Sequence, residues 1–173
     1  MFLSLKRGTL YVADLKFVTD GMLGKLTRWL RMLGHDVVYT GSMDDQELIQ
    51  KAKKEKRILL TRDVKLYQQA TAKRTEAFLL ESPNQITNLA HVAKRFSFKL
   101  EIDLKTSRCP KCNARIKPVQ KINIVPKVPK KTLTFYNEFW QCSKCQQIYW
   151  QGAHWKKIGK TLIEAQKTLE SLG

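Results

Sequence analysis

Short apolar runs alternate with segments of helical spacing between residues 16 and 96 of the chain. Four of these runs are rich in β-branched and aromatic residues and predict strands; they read KFVTD, DVVYT, RILLT and EAFLL. After each run, apolar residues recur at intervals of three and four positions, as they do in a helix that packs on one side. Four strand-helix units in succession predict an α/β fold with a parallel sheet and helices on both of its faces.

The ends of the helices follow from capping residues, glycine and proline. We expect helices over residues 23–33, 45–54, 64–72, 82–96 and 154–172. In the fourth of these, Ser82 is the predicted N-cap, Pro83 the first helical residue and Gln85 the capping-box partner. The last helix carries an apolar stripe, formed by Ile158, Leu162, Ala165, Leu169 and Leu172.

All four cysteines lie in two C-x-x-C motifs that follow a stretch, residues 97–108, expected to be a strand or a linker. They are Cys109, Cys112, Cys142 and Cys145. Each motif forms a turn that can aim two sulfurs at one ion, and two such turns complete a tetrahedral site. We therefore expect a structural zinc ribbon, with two separate redox pairs as the alternative. Four thiolates leave zinc no open coordination position, which argues against a catalytic role for this metal.

The 29 residues between the two motifs exceed the usual spacing of a zinc ribbon. We expect a β-hairpin extension there, carrying a basic segment with the sequence VPKVPKK at residues 125–131. Aromatic residues surround the second motif, and most of them are expected to cover a small core; stacking on unpaired bases is the alternative for some. His154 is expected to pack or to cap a helix rather than to bind the metal.

The charge of the chain points to a polyanionic partner. The 32 lysines and arginines exceed the 15 acidic residues and give a formal charge of +17, which favours nucleic acid. No apolar run approaches the roughly 20 residues that cross a bilayer, so no membrane partner is expected. The opening residues MFLSLKRG place apolar residues before basic ones, the reverse of a secretory signal, and a cytoplasmic protein is therefore expected.

Acidic residues follow three of the predicted strands. Asp20 comes after the first strand, Asp44 and Asp45 lie in the loop after the second, and Asp63 follows the third. Ligands of open parallel sheets bind at the carboxyl ends of the strands, so we expect these carboxylates to converge there. Their hard oxygen atoms suit Mg²⁺ or Mn²⁺. Each aspartate also has an explanation as a helix N-cap, and Asp44 fits it especially well with Glu47 as its reciprocal partner.

A combination of motifs relates the chain to a known family. The segment FVTDGMLGKLTRWLRMLGHDVV with LLTRD, CPKC, CSKC and IYWQGAHW downstream resembles the Mut-seven C-terminal RNase domain family, over about residues 16–155. The resemblance implies a PIN-like three-layer α/β fold with a parallel sheet, a small zinc-ribbon module and a C-terminal helix. We expect a PIN-like RNase domain over residues 1–105, the zinc ribbon over 106–155 and the C-terminal helix over 156–173.

The same resemblance implies a metal-dependent endoribonuclease that uses a structural Zn²⁺ and a catalytic Mg²⁺ or Mn²⁺. Carried over by position, Asp20, Asp45 and Asp63 are the catalytic acids, and Asp44 or Glu47 is a candidate for a fourth. The candidate RNA contacts are Lys25, Arg28, Arg31, Arg62, Lys127, Lys130 and Lys131.

Each of these assignments has an alternative. The basic residues of the first helix could form an ordinary solvated face, and Arg62 could pair with Asp63. The second hypothesis for the whole chain is a non-catalytic protein that binds RNA, including ribosomal RNA or the ribosome. DNA stays open as a substrate.

Overall fold

The computed structural model describes residues 15–39, 41 and 43–172. The expectations for the opening MFLSLKRG, for the first residues of the 1–105 domain and for residues 40, 42 and 173 fall outside the described residues.

A four-stranded sheet organises the first half of the chain. Its strands are β1 (Lys16–Thr19), β2 (Asp36–Tyr39), β3 (Ile58–Thr61) and β4 (Ala77–Leu79). They lie in the order β2-β1-β3-β4, and every pair is parallel, which confirms the predicted parallel sheet. The chain places β2 on one side of β1 and then crosses over to place β3 on the other side. The order in which strands are added to the sheet therefore reverses between β1 and β3.

Helices cover both faces of this sheet. They are α1 (Gly24–Met32), α2 (Asp45–Glu55), α3 (Val64–Ala72) and α4 (Gln85–Phe96), and a 3₁₀ turn at Gly21–Leu23 precedes α1. Successive residues of a strand point to opposite faces. Accordingly, Phe17 is buried with apolar residues of α1 and α4, whereas Val18 is buried with those of α2 and α3. Full burial of each such side chain is worth about 1.5–3 kcal/mol.

The N-terminus of α4 differs from the prediction. Asn84 is the N-cap, and its Oδ1 accepts hydrogen bonds from the backbone N–H groups of Ile86 at 2.8 Å and Thr87 at 3.4 Å. The hydroxyl of Ser82, the predicted cap, instead accepts from Asn84 N in the preceding turn. The helix therefore starts after Pro83, because Asn84 lies directly before the N–H groups that need an acceptor.

The cysteines belong to a second, antiparallel sheet, in what we call the ribbon module (residues 106–155). Its elements are β5 (Ile116–Val119), α5 (Lys130–Phe135), β6 (Phe139–Cys142) and β7 (Ile148–Tyr149), with the strands in the order β5-β6-β7. The stretch 97–108 contains no strand, although Arg108 forms an isolated bridge to Arg115.

The prediction of a β-hairpin extension is correct for the strand pairing but wrong for the segment between the strands. β5 and β6 do pair, but the chain between them folds into short helical turns rather than an extended arm. Ile124 and Val128 are buried there against Phe139 and Ile148. Of the VPKVPKK residues, Val128 therefore belongs to a small apolar core, while Val125, both prolines and the three lysines Lys127, Lys130 and Lys131 are exposed.

The last helix, α6 (His154–Ser171), returns to the first half of the chain and packs beside α4. Ala165 is buried in the same core cluster as Phe17 and Leu89, with Leu162 and Leu169 at its border. The predicted apolar stripe thus completes the main core. None of the helices in the described parts of the chain combines the length and the apolar character that crossing a bilayer requires.

Arg31 links the sheet to the ribbon module. Its Nε and Nη2 donate to Val37 O at 3.0 and 2.8 Å, and its Nη1 donates to Pro110 O at 3.0 Å and Lys111 O at 3.2 Å. Only 6% of the residue is exposed. The prediction that Arg31 is exposed is wrong, because the first cysteine motif covers α1 at this residue, while Lys25 and Arg28 stay exposed.

Asn113 and Asp36 make the second link between the two parts. Asn113 has a φ of 70°, a left-handed conformation that asparagine tolerates. Its Oδ1 accepts from Val37 N at 3.0 Å, and its Nδ2 donates to Asp36 Oδ1 at 2.7 Å. Asp36 also forms salt bridges with Arg57 at 2.9 Å and with Arg108 at 3.8 Å.

We predict that Arg31→Lys lowers the free energy of unfolding by about 2–4 kcal/mol. A lysine cannot donate to three carbonyl oxygens in a planar fork, so buried acceptors lose their partners. The matched control is Arg28→Lys on the same helix, where the side chain is exposed; its effect should stay within about 0.5 kcal/mol. Urea denaturation measures both, and equal effects would show that Arg31 does not support the junction.

We also predict that the stabilisation by Asp36 disappears in acid. Burial raises the pKa of Asp36, but hydrogen bonds from Arg57 and Asn113 and the charges of Arg57 and Arg108 lower it further, so the net pKa is below its ordinary value. A carboxylate with a lowered pKa stabilises the fold above its unfolded pKa of about 3.9 and loses this effect as pH falls through the folded value. The difference in unfolding free energy between wild type and Asp36→Asn should be constant from pH 6 to 7.5 and narrow below about pH 4. A difference that is as large at pH 3 as at pH 7 would contradict this.

Candidate active site and metal centre

Two of the predicted acids lie at the carboxyl ends of neighbouring strands. Asp20 follows β1 and Asp63 follows β3, at the point where the strand order reverses. Thr61, the last residue of β3, connects them: its hydroxyl donates to Asp20 Oδ2 and accepts from Asp63 N at 2.9 Å. The structure therefore places this pair where open α/β sheets bind their ligands. Thr61 was not among the predicted site residues, although it stands in the LLTRD motif.

Asp20 is a buried carboxylate. It is 6% exposed, its Oδ1 accepts from Met22 N at 2.8 Å, and its Oδ2 accepts from Arg62 N at 3.2 Å in addition to Thr61. Within residues 15–39, 41 and 43–172 no salt bridge reaches it. Buried charges in proteins are normally paired with an opposite charge or coordinate a metal, so Asp20 is the acid with the strongest requirement for a cation.

The remaining acids are exposed and sit at helix N-termini. Asp63 Oδ1 caps α3 by accepting from Lys65 N at 2.7 Å and Leu66 N at 3.0 Å. Asp44 caps α2, and Glu47 accepts from Asp44 N at 3.1 Å, so the expected capping box is present. Asp45 lies in the first turn of α2. The N-cap alternative thus holds for Asp44 and Asp63, and Asp20 caps the 3₁₀ turn in the same way.

The aspartates do not form one preassembled cluster. In the part of the chain that the structure describes, the four cysteines are the only group of three or more His, Cys, Asp or Glu side chains placed to hold one ion. Asp20 and Asp63 are brought to adjacent strand ends, while Asp45 begins the helix that follows β2. Their catalytic role, and that of Asp44 or Glu47, stays a prediction.

A basic cavity of about 470 Å³ opens at the 3₁₀ turn that Asp20 caps; residues 21–23 of the turn line it, whereas Asp20 itself does not. Lys25 and Arg28 line it from α1, and Arg62 lines it from the loop after β3. No salt bridge joins Arg62 to Asp63 among the described residues, so the alternative role of Arg62 as an ion-pair partner is not supported. Three cations beside a buried carboxylate can attract phosphate groups.

Two further residues shape this cavity. A Cβ atom on Gly24 would lie 3.0 Å from the hydroxyl of Tyr39, which itself donates to Gly21 O at 3.2 Å, so a side chain at position 24 would displace the tyrosine. Asn88 is 3% exposed; its Nδ2 donates to Ser82 O at 2.9 Å, and its Oδ1 has no partner in the described part of the chain. No sequence motif marks Tyr39 or Asn88, so the sequence alone could not have identified them as residues of this cavity.

The four cysteines form a closed site. Cys109 Sγ lies 3.6 Å from Cys145 Sγ, Cys112 Sγ lies 3.3 Å from Cys142 Sγ, and all four sulfurs lie within 4.8 Å of one another. Tetrahedral zinc with Zn–S bonds of about 2.3 Å places sulfurs about 3.8 Å apart, so these residues could hold a zinc ion. Because each motif contributes to the same site, the arrangement favours one four-cysteine site over two separate redox pairs.

The protein also supports these sulfurs from a second layer. The Tyr149 hydroxyl lies 3.0 Å from Cys109 Sγ, and Cys142 Sγ accepts from the N–H groups of Lys144 and Cys145 at 3.4 Å. Burial raises the pKa of Tyr149, and the neighbouring Cys109 raises it further, so the tyrosine stays protonated and can donate to a thiolate. Burial also raises the pKa of Cys112, but a hydrogen bond from the Ala114 backbone and those from the other thiols outweigh it and lower the pKa to about 6. His154 lies outside the four-sulfur group and contacts Trp150 edge-on, with ring centroids 6.4 Å apart.

A family model described as the Mut7-C RNAse domain matches residues 15–162. The chain belongs to this family. The match includes both the sheet and the ribbon module, so the resemblance inferred from the motifs is confirmed. Searches of curated proteins and of solved structures found no match. Membership of the Mut7-C RNAse domain family supports a nuclease-like function and contact with nucleic acid.

We predict that the protein carries one zinc ion and that Cys142→Ser loses it. Cys142 is buried and central to the ribbon module, and structural zinc supplies on the order of 10–16 kcal/mol to comparable small modules. Elemental analysis and near-ultraviolet circular dichroism should show loss of both metal and ribbon structure. The neighbouring, exposed Ser143→Ala should keep the metal. Full zinc occupancy in Cys142→Ser would contradict a four-cysteine site.

Proposed function

We propose that the protein is a metal-dependent endoribonuclease that cleaves RNA phosphodiester bonds by attack of water. The observation that carries the proposal is the buried carboxylate of Asp20, which has no cationic partner among the described residues. Asp20 and Asp63 follow the carboxyl ends of the neighbouring strands β1 and β3. The adjacent basic cavity and membership of an RNase domain family support it.

The donor set suits Mg²⁺ or Mn²⁺. Mg²⁺ is usually held by one or two carboxylates together with substrate phosphates and water, and does not need a closed protein cage. The Oδ2 atom of Asp63 accepts no hydrogen bond within the described residues, and the Oδ1 atom of Asp20, whose one donor is Met22 N, keeps a free lone pair, whereas its Oδ2 already has two donors. Asp20 and Asp63 would therefore hold the ion, with Asp45 as a third acid. When bound, such an ion lowers the pKa of water and stabilises the leaving oxygen.

The residues around this pair have distinct tasks in the proposal. The Thr61 hydroxyl and the Arg62 backbone N–H hold the Asp20 carboxylate in one orientation. Lys25, Arg28 and the Arg62 side chain bind phosphates on both sides of the cleaved bond. The zinc site takes no part in the chemistry, since four sulfurs leave it closed; the ribbon module would instead add RNA-binding surface.

A second candidate function is RNA binding without cleavage, including binding to the ribosome. It is favoured by the hydrogen bonds that Asp20, Asp44 and Asp63 make as caps, because these explain their positions without a catalytic metal. The basic surface has the same use under either candidate.

We predict that Asp63→Asn abolishes cleavage but leaves the fold intact. Asparagine caps a helix about as well as aspartate, so the change removes a charge and a metal ligand while stability stays within about 0.5 kcal/mol. Cleavage of end-labelled RNA in Mg²⁺ or Mn²⁺ should fall by at least about 100-fold, as loss of even an outer-shell partner costs 10–100-fold. RNA affinity should persist. Asp20→Asn should abolish cleavage as well.

The matched control is Asp103→Asn. Asp103 is exposed and caps a turn by accepting from Lys105 N at 2.9 Å, on the linker between the sheet and the ribbon module. Its cleavage rate should equal that of the wild type. If wild type, Asp20→Asn and Asp63→Asn cut equally, the cleavage comes from another site or a contaminant. If none cuts but all bind RNA, the non-catalytic candidate is correct.

A further inference from the structure

A second cavity, of about 490 Å³, lies between α1, the first cysteine motif and the start of α6. Its volume is within the range of about 300–1,000 Å³ found for ligand clefts. Aromatic and aliphatic side chains, among them Trp150, form much of its lining, and Arg28 and Lys111 bring positive charge to it. An apolar floor with cations beside it is complementary to a nucleotide, which joins a flat base to a phosphate.

The walls of this cavity are held at a fixed spacing. Arg31 binds the carbonyl oxygens of Pro110 and Lys111, and both of these residues line the cavity. The Lys111 ammonium donates to Gln147 Oε1 at 2.7 Å and so connects the first cysteine motif to the turn that follows the second. The opening between α1 and the ribbon module is therefore built into the junction.

Arg28 belongs to both cavities. It lines the one beside Asp20 and the one at the ribbon module, and it is exposed. No hydrogen bond or salt bridge of its side chain occurs within the described part of the chain. The two cavities are thus neighbours that share one cation, and a phosphate bound by Arg28 has a nucleotide-sized space on each side.

Trp150 supplies the aromatic surface. Its ring packs against Phe139, with centroids 6.3 Å apart, and meets His154 edge-on. The residue is only half-buried and contributes to the cavity lining. Aromatic side chains that stay open beside basic groups are the usual platforms for unpaired bases.

We propose that this cavity binds an unpaired nucleotide of an RNA strand, with its base on Trp150 and its phosphate on Arg28. The inference rests on the proposed function, because it extends the strand that the site beside Asp20 would cleave. It assigns single-stranded RNA as the substrate class. Bases inside a duplex are stacked on each other and cannot reach an aromatic side chain in a cleft.

The test compares RNA binding by four variants of the zinc-loaded protein without added Mg²⁺ or Mn²⁺. Trp150→Leu should weaken binding of a fluorescent single-stranded RNA about 5- to 100-fold, whereas Trp150→Phe, which keeps an aromatic ring, should change it less than about threefold. Arg28→Gln should reduce the slope of log affinity against log salt by about 0.7, the value for one phosphate contact. Lys54→Gln on the opposite face of the sheet is the control and should bind like the wild type. A duplex of the same sequence should show no dependence on Trp150.

A second measurement uses the unmodified protein, so it does not depend on how Trp150→Leu folds. Single-stranded RNA containing 5-iodouridine is irradiated with the wild type, and the cross-linked peptide is identified by mass spectrometry; we expect Trp150. A cross-link elsewhere, or equal binding by wild type, Trp150→Leu and Arg28→Gln, overturns the proposal. If these variants lose binding but neither they nor the wild type cleaves RNA, the nuclease proposal is wrong and the nucleotide site stands. If cleavage is normal and binding does not depend on Trp150, the nucleotide site is wrong and the nuclease proposal stands.

Discussion

The guanidinium of Arg31 is the contact on which the arrangement of the two parts of the molecule depends. It lies between α1, the strand β2 and the first cysteine motif, and it donates to the carbonyl oxygens of Val37, Pro110 and Lys111. Asn113 and Asp36 add a second set of hydrogen bonds beside it. Because the fork of donors is planar and rigid, it fixes the distance between the sheet and the ribbon module. The cavity between α1 and the ribbon module follows from that distance.

The cysteine site and the proposed acidic site differ in the nature of their ligands. Four sulfurs within 4.8 Å of one another make a closed site that can stabilise a module with little apolar core. The acids that follow the strands of the parallel sheet are arranged in the opposite way: they are spread over separate strand ends, and their oxygens are partly engaged by backbone N–H groups. A closed sulfur site suits a structural role, whereas an open oxygen site suits a substrate that brings ligands of its own.

An aspartate at the carboxyl end of a parallel strand can be both a helix cap and a metal ligand. The strand ends of a parallel sheet are also the starts of the following helices, so an aspartate there meets free backbone N–H groups. Asp63 uses one oxygen for this purpose and leaves the other, while Asp20 is buried with all its donors neutral. Burial therefore distinguishes the two carboxylates: the exposed Asp63 is stabilised by water and its cap hydrogen bonds, whereas the buried Asp20 requires a positive charge. Sequence position alone assigns both the same description.

The sequence by itself determined the parallel sheet, the helix that follows each strand, the four cysteines of one site and the acids at the strand ends. These features depend on local periodicity and on the spacing of neighbouring residues, which the chain carries directly. Only the tertiary structure decided that Arg31 is buried, that Thr61 joins Asp20 to Asp63, that Val128 of VPKVPKK packs in a small core, and that α6 completes the core beside α4. The physical reason is that helical periodicity tells which side of α1 is polar, but not whether a part of the chain some 80 residues away will cover it.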